Sequence, residues 1–277
     1  MQSRIDLMIN EECNIDCLFC YHHGFQDKSK YDFSKIKIKW TLFFWKTKWF
    51  KELYISWWEP TISDNLEYSI KVAKEYWYEK IKIMTNGLKF SNLEYCKKLK
   101  QLWVTNLAIS MHWYDRKTFE FHANVEWIYD KFMKALINAN KFFDLDVNIV
   151  VTKQNIKDIN KHVKLLLTLG IRRVHLQHVV PNSKDNIKLL PSNEDVIIFI
   201  NNFIDKFEDK IDISLEFFPY CLINKEKYLW KFSYENNFVT NNPTMFDNWS
   251  EWIFKNKILK DKCINCSDKK YCNWFWV

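Results

Sequence analysis

Three cysteines fall within eight positions of the segment "EECNIDCLFCYHHG", at Cys13, Cys17 and Cys20. This Cys-x3-Cys-x2-Cys loop offers three soft thiolates from one short piece of backbone, a ligand set that suits zinc or an iron–sulfur cluster. Three is one short of a closed tetrahedral zinc shell and one short of a fully ligated cubane. Either a fourth ligand comes from elsewhere, or one position stays open for chemistry. A second set lies far downstream, Cys263-x2-Cys266-x5-Cys272, with Cys221 ahead of it in "FPYCLI". Four thiolates there suit one [4Fe–4S] cluster, and zinc is served equally well by the same shell. The eight cysteines come without a signal peptide, which argues for metal ligation over disulfides. Cys96, inside a helical pattern, reads as a small buried apolar residue.

The elements that must position these loops alternate along the chain. Strand-like runs "RIDLMIN" (Arg4–Asn10), "ELYIS" (Glu52–Ser56), "KIKIMT" (Lys80–Thr85), "NLAIS" (Asn106–Ser110), "DVNIVVT" (Asp146–Thr152) and "RRVHLQHV" (Arg172–Val179) are separated by helix-length amphipathic runs. Those helices are expected at 65–76, 92–102, 128–142, 156–169 and 193–207. Six strand–helix units imply parallel strands with helical crossovers, an α/β partial (β/α)6 TIM-like barrel. Its functional residues belong at the C-terminal ends of the strands, where the cysteine loop, "SWWEP", "TNG" and "SMH" all fall. Periodicity fades beyond Glu216, so residues 1–215 read as the barrel and 216–277 as a small cysteine-rich extension.

Net charge is +7, but only four of the 41 basic residues are arginine, and the lysines are interleaved with acids along the chain. That is a solvated surface, and no compact basic patch points to nucleic acid. No apolar run is long enough to span a membrane. A cytoplasmic, globular protein is the expectation.

The cysteine loop and the strand ends together resemble the radical S-adenosylmethionine (radical SAM) enzymes. "CNIDCLFC" is similar to that family's three-cysteine motif, "SWWEPT" stands where the family has a Gly-Gly-Glu-Pro loop, and "IMTNG" and "AISMH" match its next two strand ends. The resemblance implies a [4Fe–4S] cluster on Cys13, Cys17 and Cys20, with S-adenosyl-L-methionine chelating the fourth iron. Reductive cleavage then yields a 5′-deoxyadenosyl radical that removes hydrogen from a substrate. It further implies that Phe19 packs by the cluster and adenine, that Trp57, Trp58 and Glu59 face the methionyl amine, and that Ser110 lies near the ribose. His112 faces the same rim and reads as a structural histidine before a catalytic one; His22, His23, His175 and His178 read as structural. An electron donor such as flavodoxin or ferredoxin is implied as a partner. The second cysteine set resembles the SPASM/Twitch auxiliary-cluster extensions, the shorter Twitch form fitting better, so a second [4Fe–4S] cluster is expected there, with zinc as the rival.

One departure from the family is conspicuous. Ordinary usage would give a chain of 277 residues about 19 glycines, yet it has three, against 14 tryptophans. Trp57 and Trp58 replace the two glycines of the family loop. Trp49, Trp77 and Trp103 stand at helix-to-strand junctions where a left-handed cap residue is normally glycine, and Trp113, Trp127 and Trp274 also occupy glycine-like places. An AT-rich genome does not supply the excess, because the tryptophan codon is itself rich in G. These residues read as UGA codons that the source cell translates as glycine; the alternative is a divergent, inactive homologue with authentic tryptophans. Trp252 and Trp276 fit authentic tryptophan.

The leading functional expectation is a radical SAM oxidoreductase or maturase acting on a ribosomal peptide or a protein. A cofactor-biosynthesis enzyme of the molybdenum-cofactor cyclase type shares the layout, although the Gly-Gly tail of that enzyme is missing from "NWFWV". A non-catalytic, zinc-binding cysteine-rich scaffold is the reading from outside the enzymes.

Overall fold

The computed structural model describes residues 4–20, 33–180, 184–228, 238–241 and 261–267. Its elements run β1 (Arg4–Leu7), α1 (Lys35–Thr47), β2 (Glu52–Ile55), α2 (Leu66–Glu75), β3 (Lys80–Thr85), α3 (Leu93–Gln101), β4 (Asn106–Ser110), α4 (Arg116–Ala123), α5 (Tyr129–Asn140), β5 (Asp144–Val151), α6 (Ile159–Thr168) and β6 (Arg173–His178). Two short helices, α7 (Lys184–Ile187) and α8 (Asn193–Asp195), follow, and a π-helical stretch Val196–Ile200 joins α8 to α9 (Asn201–Phe207) before β7 (Asp212–Glu216). The strands form one sheet of order β7-β6-β5-β4-β3-β2-β1 with every pair parallel. Each strand therefore lies beside its predecessor, the arrangement of an open, partial α/β barrel. The six expected strands are all present. Beyond these six strand–helix units the helix ending in α9 leads into β7, and the 216–277 segment adds an eighth strand (β8, Phe238–Asn241) parallel to β1.

Period-2 alternation divides each strand between two environments. On β5, Leu145, Val147, Ile149 and Val151 are buried towards the helices, while Asp146, Asn148 and Val150 line the concave face. Leu53, Ile55, Ile83, Leu107 and Ile109 occupy the helix-facing side of the neighbouring strands at 0% exposure. Each such side chain contributes about 1.5–3 kcal/mol by leaving water. Side-chain caps fix where helices begin: Asn92 accepts from the Glu94 N–H at 2.9 Å, and Asp115 accepts from the Thr118 N–H at 2.9 Å.

Four of these helices end in the same way. The residue one past the cap donates its N–H to the carbonyl three residues back, and the next N–H reaches five back, the two-bond Schellman closure. In α6 this residue is Gly170, bonded to the Leu167 carbonyl at 3.0 Å, with Ile171 bonded to Leu166 at 3.0 Å. In α1, α2 and α3 the equivalents are Trp49 (to Lys46, 3.0 Å), Trp77 (to Lys74, 3.1 Å) and Trp103 (to Lys100, 3.1 Å). Their φ values of 67°, 60° and 74° match the left-handed 78° of Gly170. Asn124, the other residue type tolerated there, closes α4 at φ 52°.

Candidate active site

The C-terminal ends of the strands and the cysteine loop enclose a cavity of about 490 Å³. Cys13, Cys17 and Cys20 all line it, together with Phe19, Trp57, Trp58, Ser110 and His112. The cysteine loop is tied down from below: the Leu18 N–H bonds to the His122 carbonyl at 3.0 Å, and the Cys20 N–H to the Cys17 carbonyl at 2.9 Å. Asn14 and Asn86 join this loop to the end of β3 through a 2.7 Å side-chain bond, and the Asn86 amide also approaches the Cys13 sulfur at 4.0 Å.

The donor set fits an iron–sulfur cluster. Burial pushes the Cys17 thiol well up, and the neighbouring Cys20 and Cys13 push it in the same direction by repulsion. Burial also raises Cys13. Thiols gathered this closely ionise readily only against a cationic centre, which the irons of a cluster provide. Among the described residues no three His, Cys, Asp or Glu side chains converge on a single ion. A cubane is not held that way, since each of its irons takes a separate thiolate.

His112 is buried, its Nε2 lies 3.2 Å from the Cys17 sulfur, and its ring packs against Phe19 with centroids 5.1 Å apart. Burial lowers its pKa to about 3, so the ring is neutral. Ser110, at the end of β4, lines the cavity. Trp57 and Trp58 also face it, at φ 74° and 42°, their rings tilted by 36° with centroids 6.4 Å apart. Two indoles thus occupy room beside the cysteines.

Glu59 corrects the expectation. It is completely buried and does not line the cavity. One carboxylate oxygen accepts from the Thr61 N–H (3.0 Å), the Thr61 hydroxyl (2.6 Å) and the Thr85 hydroxyl (2.7 Å), and the other from the Asn86 N–H (2.7 Å). Its side chain braces the β2 and β3 loops against each other. Burial raises its pKa, against the pull of those four donors. Trp113 is a second correction: it is buried against His162, and it is not among the positive-φ residues, so its backbone does not call for glycine.

Residues that sequence reading missed lie deeper in the lumen. Arg4 pairs with Asp6 at 3.0 Å, Asp146 with both Lys82 and Arg173, and His175 with Glu216 at 2.8 Å and Ser214 at 2.7 Å. Asn148 and Gln177 share that wall. The polar alternation of "DLDVNIVV" was their signal. His178 is buried and lines the same cavity. Cys96 is buried and its thiol reaches the Phe90 carbonyl at 3.4 Å. Cys221 is exposed, Cys266 half-buried and Cys263 buried; Cys272, His22, His23 and Trp274 lie outside the described residues. No helix among the described residues is long and apolar enough to cross a membrane.

A "Radical SAM superfamily" family model matches residues 7–166. A probable GTP 3′,8-cyclase of Saccharolobus islandicus is 25% identical over 214 residues, which is 76% of this chain and 68% of the relative. Among solved structures, Streptococcus suis SuiB bound to S-adenosylmethionine aligns with TM-score 0.70 and 15% identity, covering 99% of this chain and 72% of SuiB. SuiB bound to its precursor peptide SuiA gives 0.64 and 18%, covering 78% of this chain; the match spans about half (49%) of SuiB's own length. Native anSMEcpe with bound AdoMet gives 0.67 and 13%, covering 98% and 88%. At such identities the structural likeness shows a shared fold. With the matched family region, the three thiolates and the strand-end cavity, the chain belongs to the radical SAM superfamily.

Proposed function

We propose that this radical SAM enzyme acts on a peptide or protein, with Cys13, Cys17 and Cys20 holding the cluster and the cavity above β4 and β5 holding S-adenosylmethionine. A [4Fe–4S] cluster bound there supplies the electron that cleaves the sulfonium reductively, starting hydrogen abstraction from the substrate. The chain's own part is to shape the pocket: Phe19 and His112 wall the cysteine loop, Ser110 and Asn148 offer polar contacts to the nucleoside, and Glu59 holds the loop beneath. The observation that carries the reading is the three cysteines lining one cavity with Phe19 and Ser110. Supporting a peptide, each lumen cation is matched by a carboxylate, Arg4 by Asp6 and Lys82 and Arg173 by Asp146. That balance suits an uncharged or zwitterionic segment better than a polyphosphate. A flavodoxin or ferredoxin would deliver the electron. Cys221, Cys263, Cys266 and Cys272 of the 216–277 extension are the ligands proposed for a second [4Fe–4S] cluster, with zinc the other candidate for the same thiolates.

The cyclase relatives favour a second reading, a purine nucleotide as substrate. Anaerobic reconstitution with iron and sulfide, then incubation with S-adenosylmethionine and a reductant, tests the class by release of 5′-deoxyadenosine. Peptides encoded beside the gene and GTP are then offered in parallel. Modification of a peptide supports the first reading and consumption of GTP the second, and absence of 5′-deoxyadenosine from an iron-loaded protein refutes both.

A further inference from the structure

We infer that the functional protein carries glycine, not tryptophan, at positions 49, 57, 58, 77, 103 and 127. Among the described residues eight non-glycine positions have positive φ, and six of them are tryptophan, with φ between 42° and 74°. A bulky L-residue is the poorest occupant of this region, because its Cβ crowds the neighbouring carbonyl. At the helix ends and the 127 turn these side chains stand largely in solvent: Trp49, Trp77 and Trp127 are 82–83% exposed and Trp103 62%. Gly170 provides an internal control, since it closes α6 with the same two hydrogen bonds that Trp49, Trp77 and Trp103 make in α1, α2 and α3. By contrast Trp40 and Trp45 lie within α1, where a side chain is welcome, and none of Trp40, Trp45 and Trp113 has positive φ.

Tryptophan thus gathers where the backbone asks for glycine, in a chain with three glycines. A codon read as glycine in the source cell and as tryptophan on paper explains all six positions at once, and UGA is the codon that meets this description. At 57 and 58 the consequence is chemical, since removing two indoles clears the cavity wall beside the cysteines.

Two measurements test this without reference to catalysis. The gene should carry UGA at all six positions; UGG at any of them overturns the assignment there. Peptide mapping by mass spectrometry, on protein isolated from cells that express their own copy, should then read glycine at each. Tryptophan in those peptides overturns the inference.

A different observation carries a second inference, which rests on the reading that Cys17 ligates the cluster. The geometry assigns His112 as a positioning residue whose Nε2–H donates to the Cys17 sulfur, across the observed 3.2 Å. The ring is held by Phe19 and Phe119, with centroids 5.1 Å and 5.3 Å away. N–H···S bonds favour the more negative, reduced state of a cluster and so raise its potential. In iron-loaded protein, His112→Phe keeps an aromatic ring and removes the donor. The reduced-to-oxidised ratio at a fixed applied potential should fall about tenfold, or about 59 mV for one electron, and His112→Gln should restore part of it. In protein labelled with ¹⁵N-histidine, spin-echo spectroscopy of the reduced cluster should also detect a coupled nitrogen, which needs no variant. An unchanged potential in fully loaded His112→Phe, or no coupled histidine nitrogen, overturns the inference. Failure of the wild type to take up iron sinks the ligand assignment instead.

Discussion

Replacing Trp49, Trp77 and Trp103 by glycine in the recombinant chain that carries tryptophan should stabilise it. Each sits one past a helix cap at φ 60–74° and is at least 62% exposed. Leaving the left-handed region with a bulky side chain relieves about 1–2 kcal/mol. Glycine gives back about 0.5–1 kcal/mol through the greater freedom of its unfolded chain. The net is about 0.5–1 kcal/mol per site. At Trp103 the gain is smaller, because Lys74 lies 4.5 Å from its ring and an exposed cation–π contact is worth about 0.5 kcal/mol. The three sites lie on separate helices and should add, giving a total of about 1–3 kcal/mol. Urea titration reads this as a higher midpoint at unchanged slope. Control substitutions Trp40→Gly and Trp45→Gly, inside α1, should destabilise by about 0.5 kcal/mol each from propensity alone. Loss of stability in the triple variant, or a gain in the α1 controls, would refute the backbone argument.

Triple replacement of Cys13, Cys17 and Cys20 by alanine should abolish cluster absorbance at the cavity and 5′-deoxyadenosine release; iron and zinc analysis of the same protein then reports what the C-terminal cysteines hold. Glu59→Gln turns an amide donor towards backbone or hydroxyl donors that now bond to a carboxylate, and should cost about 1–3 kcal/mol in a urea titration. His162 is fully buried, and neither ring nitrogen has a hydrogen-bond partner among the described residues. His162→Phe should therefore stabilise at neutral pH by about 1–2 kcal/mol. Burial lowers the His162 pKa to about 3, below the roughly 6.5 of an unfolded histidine. Its contribution is thus complete above about pH 6.5 and lost as pH falls towards 3, so the advantage of His162→Phe should widen between pH 6.5 and 4.

The strands β1–β6 and the helices at 65–76, 92–102, 128–142, 156–169 and 193–207 were legible because apolar periodicity and turn residues agree along most of the chain, while α1 and α4 escaped it. β7 was not, because "DISLE" offers only two apolar positions at the very place where the pattern was fading. The cysteine loop was legible because three thiolates at fixed spacing have few other uses. Glu59 was misplaced for the opposite reason: its environment is made by Thr85 and Asn86, 26 and 27 residues away, and adjacency to Trp57 and Trp58 says nothing of where its carboxylate turns. The lumen polar residues went unnamed, although their alternation along the strands is the mark of a barrel wall with one polar face.

The tryptophan pair at 57 and 58 cannot ease its strain by moving the loop, because both flanks are fixed. On one side the Ser56 N–H bonds to the Leu7 carbonyl at 3.2 Å. On the other, the Glu59 N–H bonds to the Glu12 carbonyl at 3.0 Å, and the Glu59 carbonyl accepts from Asn10 at 3.2 Å. The four donors on the Glu59 carboxylate lock the same residue to the end of β3. Any relaxation of φ at 57 or 58 would break part of this network, at about 0.5–1.5 kcal/mol for each bond and more where a buried group is left unpaired. Holding two bulky residues left-handed costs about 2–4 kcal/mol, comparable with the loss of two or three such bonds. A sequence with glycine at both positions keeps every bond and carries no such strain, so the brace built around Glu59 is itself an argument for what residues 57 and 58 must be.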